Sequence, residues 1–228
     1  MATVRRSANV MVALIFSAVL MVAFSAPQAK AEDGWGGVRD QLTKYNVPKP
    51  TQEILIQKIT AGEEWDSLSG SSPVNTTKLP DGTLLERYSD GSVSTTKVEQ
   101  PVASENSSVA PLSKAPSRCK ALPYKNGYKR RANCLVSRNS VVINYSFEAD
   151  YKVKSGAPGY ITGARHPNAW VLVPGGGYST PGPKITRSKS SGKIAATARM
   201  NVKVTTPVLT SNAWVQLNVT TSAWVTHS

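Results

Sequence analysis

From Val141 to Lys154 apolar and polar residues alternate along almost the whole run. Val141, Ile143, Tyr145, Phe147, Ala149, Tyr151 and Val153 hold one set of positions. Val142, Asn144, Ser146, Glu148, Asp150, Lys152 and Lys154 hold the other. A period of two places the two sets on opposite faces of a β-strand. The run is long for one strand, so a bend or bulge is expected in it. Ala196, Ala198, Met200, Val202 and Val204 alternate in the same way with Thr197, Arg199, Asn201 and Lys203. Trp170-Val171-Leu172-Val173, Trp214 to Val219 and Ser222-Ala223-Trp224-Val225 are further strand candidates. Pro174-Gly175-Gly176-Gly177 and Pro181-Gly182-Pro183 supply turn chemistry between them. Short strands at this spacing, without a convincing helix, predict an antiparallel β-sandwich or open barrel over residues 119–228.

The pattern differs upstream. Pro50 precedes Thr51-Gln52-Glu53, and Leu55, Ile56 and Ile59 then form one apolar face at helical spacing, with Gly62 as the stop. Pro80-Asp81-Gly82 and Ser89-Asp90-Gly91 are turn signals, with Leu84, Leu85, Tyr88 and Val93 around them. Residues 32–93 therefore read as a small helix followed by a β-meander. Such a region buries too little surface to fold alone. Residues 94–118, rich in Ser, Thr, Pro and Val without periodicity, read as a linker; an extended segment packed along the β domain is the alternative.

Residues 1–31 carry a different signature. Arg5 and Arg6 precede an uncharged apolar run from Met11 to Phe24, and Ala29-Lys30-Ala31 has the A-x-A form of a cleavage site. The run is shorter than a spanning helix requires, and the mature protein is expected to begin near Glu32 without a transmembrane segment. Export implies an oxidising compartment. Cys119 and Cys134 are the only cysteines, so a single disulfide pairing is available, and it would close a loop holding the hairpin signal Asn126-Gly127.

Charge sharpens this division. The chain has 228 residues and a formal net charge of +13. Residues 32–113 hold 7 basic and 12 acidic side chains, whereas residues 114–228 hold 17 and 2. An acidic segment thus precedes a strongly basic domain. Lys125, Lys129, Arg130 and Arg131 cluster around the expected hairpin, interleaved with Tyr124 and Tyr128. Arg187, Lys189 and Lys193 form a second group. Basic clusters concentrate anionic partners. Outside a cell these are anionic envelope polymers or membrane surfaces, and export argues against nucleic acid. Trp170, Trp214 and Trp224 recur in similar Asn/Ser-Ala-Trp-Val segments, either as common strand composition or as an aromatic row for sugar rings or a lipid interface.

Catalytic chemistry finds little purchase. Glu148 and Asp150 fall on one strand face as a carboxylate pair usable in glycoside hydrolysis, but they are the only acids among 17 basic residues and are expected to pair with bases. The two histidines, His166 and His227, lie at no zinc-finger spacing from the cysteines. No G-x-S-x-G or phosphate-loop pattern occurs. No catalytic residue, cofactor or metal ligand is therefore assigned.

Tyr45-Asn46-Val47-Pro48, Thr51-Gln52, Ile59-Thr60-Ala61-Gly62-Glu63, Trp65-Asp66-Ser67, Asp81-Gly82-Thr83 and Tyr88-Ser89-Asp90-Gly91-Ser92 stand ahead of the cysteine-bearing β domain. Together they resemble a group of uncharacterised small secreted proteins of Gram-positive bacteria. The resemblance implies an extracellular location and a two-part layout, and it transfers no site residues. The expectation is a secreted, non-enzymatic protein that binds an anionic extracellular surface such as the bacterial cell envelope. The alternatives are a membrane-active or antibacterial secreted protein and, further, a glycan-acting enzyme.

Overall fold

The computed structural model describes residues 34–101 and 117–228. The export signal expected over 1–31 and most of the expected linker lie outside the described residues. Two helices come first, α1 (Gly36–Lys44) and α2 (Lys49–Thr60). Strands follow: β1 (Asn75–Lys78), β2 (Leu84–Arg87), β3 (Val93–Val98), β4 (Lys120–Lys125), β5 (Tyr128–Asn139) and β6 (Ile143–Val153). The rest are β7 (Tyr160–Val171), β8 (Gly177–Ser179), β9 (Pro183–Arg187), β10 (Ala196–Thr205), β11 (Thr210–Val219) and β12 (Ala223–His227).

The sequence pattern did not reveal α1. Only Val38 and Leu42, one turn apart, are buried on it, which is too little for a period to show. Helix α2 begins two residues before Thr51 and takes Pro50 into its first turn, where the missing N–H costs no hydrogen bond. Its apolar face buries Leu55, Ile56 and Ile59, and the indole of buried Trp65 donates to the Leu55 carbonyl at 2.7 Å.

The strands form a mainly β, antiparallel two-sheet structure, as the alternation predicts. One sheet runs β1-β2-β3-β5-β6-β7, and the other β12-β11-β10-β8. β4 also pairs with β5, and β9 with β10. Because β6 occupies the opposite edge of β5, β3 and β4 share its remaining edge at different heights. The core lies between Val136, Tyr145, Phe147, Ala149 and Tyr151 of the first sheet and Ala198, Met200, Val202, Val215 and Leu217 of the second. Ile59 and Leu68 meet Val142, Val173, Val204 and Leu209 at one end of the strands. The β4–β5 turn lies at the other end of β5.

The meander β1–β2–β3 forms, but it does not stand apart from the basic half. Thr95–Val98 of β3 pair with Val136–Asn139 of β5, so the acidic region continues the basic domain's sheet. The expected linker starts inside β3, where Ser94, Thr95 and Thr96 are buried. The described ends of the intervening stretch are tied together. Ser117 Oγ donates to the Gln100 carbonyl at 3.1 Å, and the Arg118 N–H donates to Glu99 Oε1 at 3.0 Å.

Two strand expectations shift. Val141 is not in β6; it sits in the preceding turn at φ 67°, its N–H donating to Asn139 Oδ1 at 2.8 Å. β7 begins ten residues before Trp170 and ends at Val171. Gly163, and Pro167 beside His166 at φ 51°, interrupt its alternation and hid it in the sequence. The irregularity expected in β6 appears as register shifts against β7 between Ser146 and Glu148 and between Asp150 and Tyr151.

Candidate anion-binding site

The β4–β5 hairpin turns on Asn126 and Gly127, with φ 53° and 78°. Both fall in the left-handed region, the requirement of a two-residue type I′ turn. A Cβ at Gly127 would also stand 3.1 Å from Lys154 Nζ. Cys119 and Cys134 are joined in a disulfide below this turn.

Strand register builds the site. Leu122, Arg130, Lys152 and Tyr160 are successive cross-strand partners over β4, β5, β6 and β7, which puts them on one face. Tyr128 and Lys154, two residues along their strands, share that face. The Lys152 ammonium lies 4.9 Å from the Tyr128 ring centroid and 4.1 Å from that of Tyr160. The two rings meet edge to face at 5.8 Å, and Lys154 Nζ is 5.6 Å from Tyr128. The negative ring faces attract the ammonium groups and hold them in place.

The second basic group of the sequence reaches the same place. Tyr160 pairs with Lys189 in an antiparallel bridge, and the Ile161 N–H donates to the Ser188 carbonyl at 2.9 Å. This brings Lys189 Nζ to 5.7 Å from the Tyr160 ring. Lys189 of the second cluster thus stands over the tyrosine that pairs edge to face with Tyr128 of the first hairpin. Beside them is a groove of about 410 Å³ lined by Lys125, Tyr128, Arg130, Arg131 and Lys152 among others.

Other candidates fall elsewhere. Lys129 alternates to the opposite face of β5 from Tyr128 and Arg130 and is exposed. Tyr124 is exposed on β4. Arg187 ends β9 opposite Thr197, and Lys193 lies in the Ser191–Ile194 turn. Sequence reasoning left out Lys152, Lys154 and Tyr160. The two lysines were legible as the polar face of β6, but their meeting with Tyr128 depends on register.

The aromatic row does not form. Trp170 lies on the first sheet opposite Asn144, whereas Trp214 and Trp224 lie on the second, opposite Asn201 and Asn218. Each tryptophan of the recurring segment therefore faces an asparagine on its neighbouring strand.

The carboxylates pair with bases. Arg165 grips Asp150 through both oxygens, at 2.6 and 2.9 Å, and Nη2 also donates to Asn133 Oδ1. Burial works to raise the Asp150 pKa, but the Arg165 hydrogen bond and the Asn133 N–H outweigh it and hold it below the ordinary value. Gly163 makes room, since a Cβ there would stand 2.7 Å from Asp150 Oδ2. Glu148 Oε2 is 2.9 Å from His166 Nδ1, and its other oxygen is 3.7 Å from Arg118.

No family model matches the chain, and no curated protein matches it. Among solved structures it is similar to the crystal structure of hypothetical protein lmo2686 from Listeria monocytogenes EGD-e. The identity is 24% over 64% of this chain and 91% of that chain, with a TM-score of 0.32. Among the described residues, no helix is long and apolar enough to cross a membrane.

Proposed function

We propose that this is a secreted, non-enzymatic protein that binds an anionic extracellular surface, with the bacterial cell envelope as the first candidate. The observation that carries the reading is the Lys152 ammonium held between Tyr128 and Tyr160, with Lys154 and Lys189 over the same two rings. Cations fixed by aromatic faces lose less freedom on meeting an anion than free surface lysines do. The groove of Lys125, Arg130 and Arg131 extends the positive surface beside them. Both acids of the basic half are engaged by arginine or histidine, which supports a binding role over carboxylate catalysis. The disulfide supports location in an oxidising compartment.

The test is co-sedimentation with purified envelope across a salt series. Binding falls steeply as salt rises, and the Lys152→Ala/Lys189→Ala double variant loses most of that dependence. Binding indifferent to both salt and the double substitution would sink the proposal.

A further inference from the structure

The outward face of the second sheet has a chemistry unlike that of the basic cluster. From β10 it presents Arg199, Asn201 and Lys203, and from β11 Asn212, Trp214 and Gln216, with buried Asn218 at its end. Asparagine is poorly suited to strands, so its recurrence on one sheet face calls for a use other than folding. Part of the face is already ordered. Arg199 Nε donates to Gln216 Oε1 at 2.9 Å, Gln216 Nε2 to Asn218 Oδ1 at 2.7 Å, and Asn218 Nδ2 to Thr226 Oγ1 at 2.9 Å. The Arg199 guanidinium lies 4.0 Å from the Trp214 ring centroid and steadies the indole.

A cleft of about 450 Å³ opens beside this ladder, lined by Thr180, Asn201, Lys203, Asn212 and Trp214 among others. Its origin is topological. β8 and β9 pair with separate stretches of β10, and the turn between them stands over Asn201, whose carbonyl accepts from Thr180 Oγ1 at 2.7 Å. Asn201 and Asn212 are exposed, and their side-chain amides make no hydrogen bond to other described residues. Each offers a donor and an acceptor.

We infer that this cleft binds a hydroxyl-rich pyranose chain, separately from the anion-binding cluster. An indole presents a flat apolar surface to the C–H face of a sugar ring, while amides exchange hydrogen bonds with ring hydroxyls. The volume falls in the range of small-ligand sites. Residues 151–228 contain no Asp or Glu, so nothing from this stretch repels acidic substituents on the chain, and Lys203 and Arg199 attract them. The same residues supply no carboxylate pair for hydrolysis, which fits retention of the glycan.

The experiment titrates the protein with three hexasaccharides, of glucose, of N-acetylglucosamine and of galacturonic acid, following tryptophan fluorescence and heat. At least one binds, and Trp214→Ala weakens it about tenfold or more. Asn212→Ala, an exposed substitution that leaves the core untouched, weakens it roughly three- to tenfold. Trp170→Ala, on the other sheet, leaves affinity unchanged, and binding of a neutral hexasaccharide is indifferent to salt, which separates this cleft from the basic cluster. The inference is overturned if none of the hexasaccharides binds. It is equally overturned if binding survives both Trp214→Ala and Asn212→Ala, or follows Trp170 instead.

Discussion

His227, on the last strand of the second sheet, places Nε2 3.0 Å from the carboxylate of Glu86, on the second strand of the first. The same carboxylate accepts from Ser94 Oγ at 2.8 Å and lies 3.7 Å from Arg138 Nη1. Arg138 is 1% exposed, and its Nη2 donates to the Ser67 carbonyl at 2.6 Å. One acidic side chain from the N-terminal half thus neutralises a buried guanidinium and fastens the C-terminal strand. Glu86→Ala leaves Arg138 buried without its counter-charge and is expected to cost roughly 3–5 kcal/mol. His227→Ala removes a single hydrogen bond to a charged group, expected at roughly 1.5–3 kcal/mol. Chemical denaturation of the two variants measures both, and equal losses would contradict this ordering.

Reduction probes the hairpin. Cys119 and Cys134 are separated by 15 positions. A loop of that length is worth about 3 kcal/mol in the chain-entropy account. The Cys119→Ser/Cys134→Ser variant is expected to melt at lower temperature than the oxidised protein and to match it after reduction. A reduced protein that keeps the oxidised midpoint would count against the contribution.

Acid should unfold the protein through particular carboxylates. The Lys97 hydrogen bond, with help from Thr83, lowers Asp81 to about 2. At Asp90 burial works upward, but hydrogen bonds from Ser92, the Asp66 N–H and Lys58 prevail and hold it low. Asp150 is lowered as well. A carboxyl depressed in the folded state adds stability that is present above its unfolded value, near 4, and is lost as pH falls through the folded one. The midpoint is expected to decline between about pH 4 and pH 2. Asp90→Asn and Asp81→Asn should each flatten that decline while lowering stability at neutral pH.

The aromatic part of the anion site can be separated from its charge. Tyr160→Phe keeps the ring that Lys152 and Lys189 share, and envelope binding should be retained. Tyr160→Ala frees Lys189 from its ring and leaves Lys152 with Tyr128 alone, with an expected loss of about 0.5–1 kcal/mol per cation–ring contact. Equal affinity for the two variants would show that the ring contributes nothing.

The periods of the sequence carried the architecture further than the site. β6 and β10 were legible because each buries one face and exposes the other, and the Asn126-Gly127 turn because its backbone admits few residue types. β7 was not legible, since its bulge at His166 and its Gly163 serve contacts with Glu148 and Asp150 formed only after the strands align. The basic clusters were visible as composition. The meeting of Tyr160 with Lys152 and Lys189 belongs to pairing between segments distant in sequence, which no local pattern contains.

The shared edge of β5 has a further consequence. β3 and β4 occupy it one after the other, and the chain leaves after Gln100 and returns at Ser117, beside the point of departure. A cut between those positions would break the covalent chain without breaking any strand among the described residues. The upstream piece would still supply Glu86 to Arg138 and the Glu99 carboxylate to the Leu135 N–H, and the downstream piece would still offer the open edge that receives β3. The protein is therefore laid out as two complementary segments, the upstream one completing the downstream one's sheet and setting Glu86 and Glu99 against it.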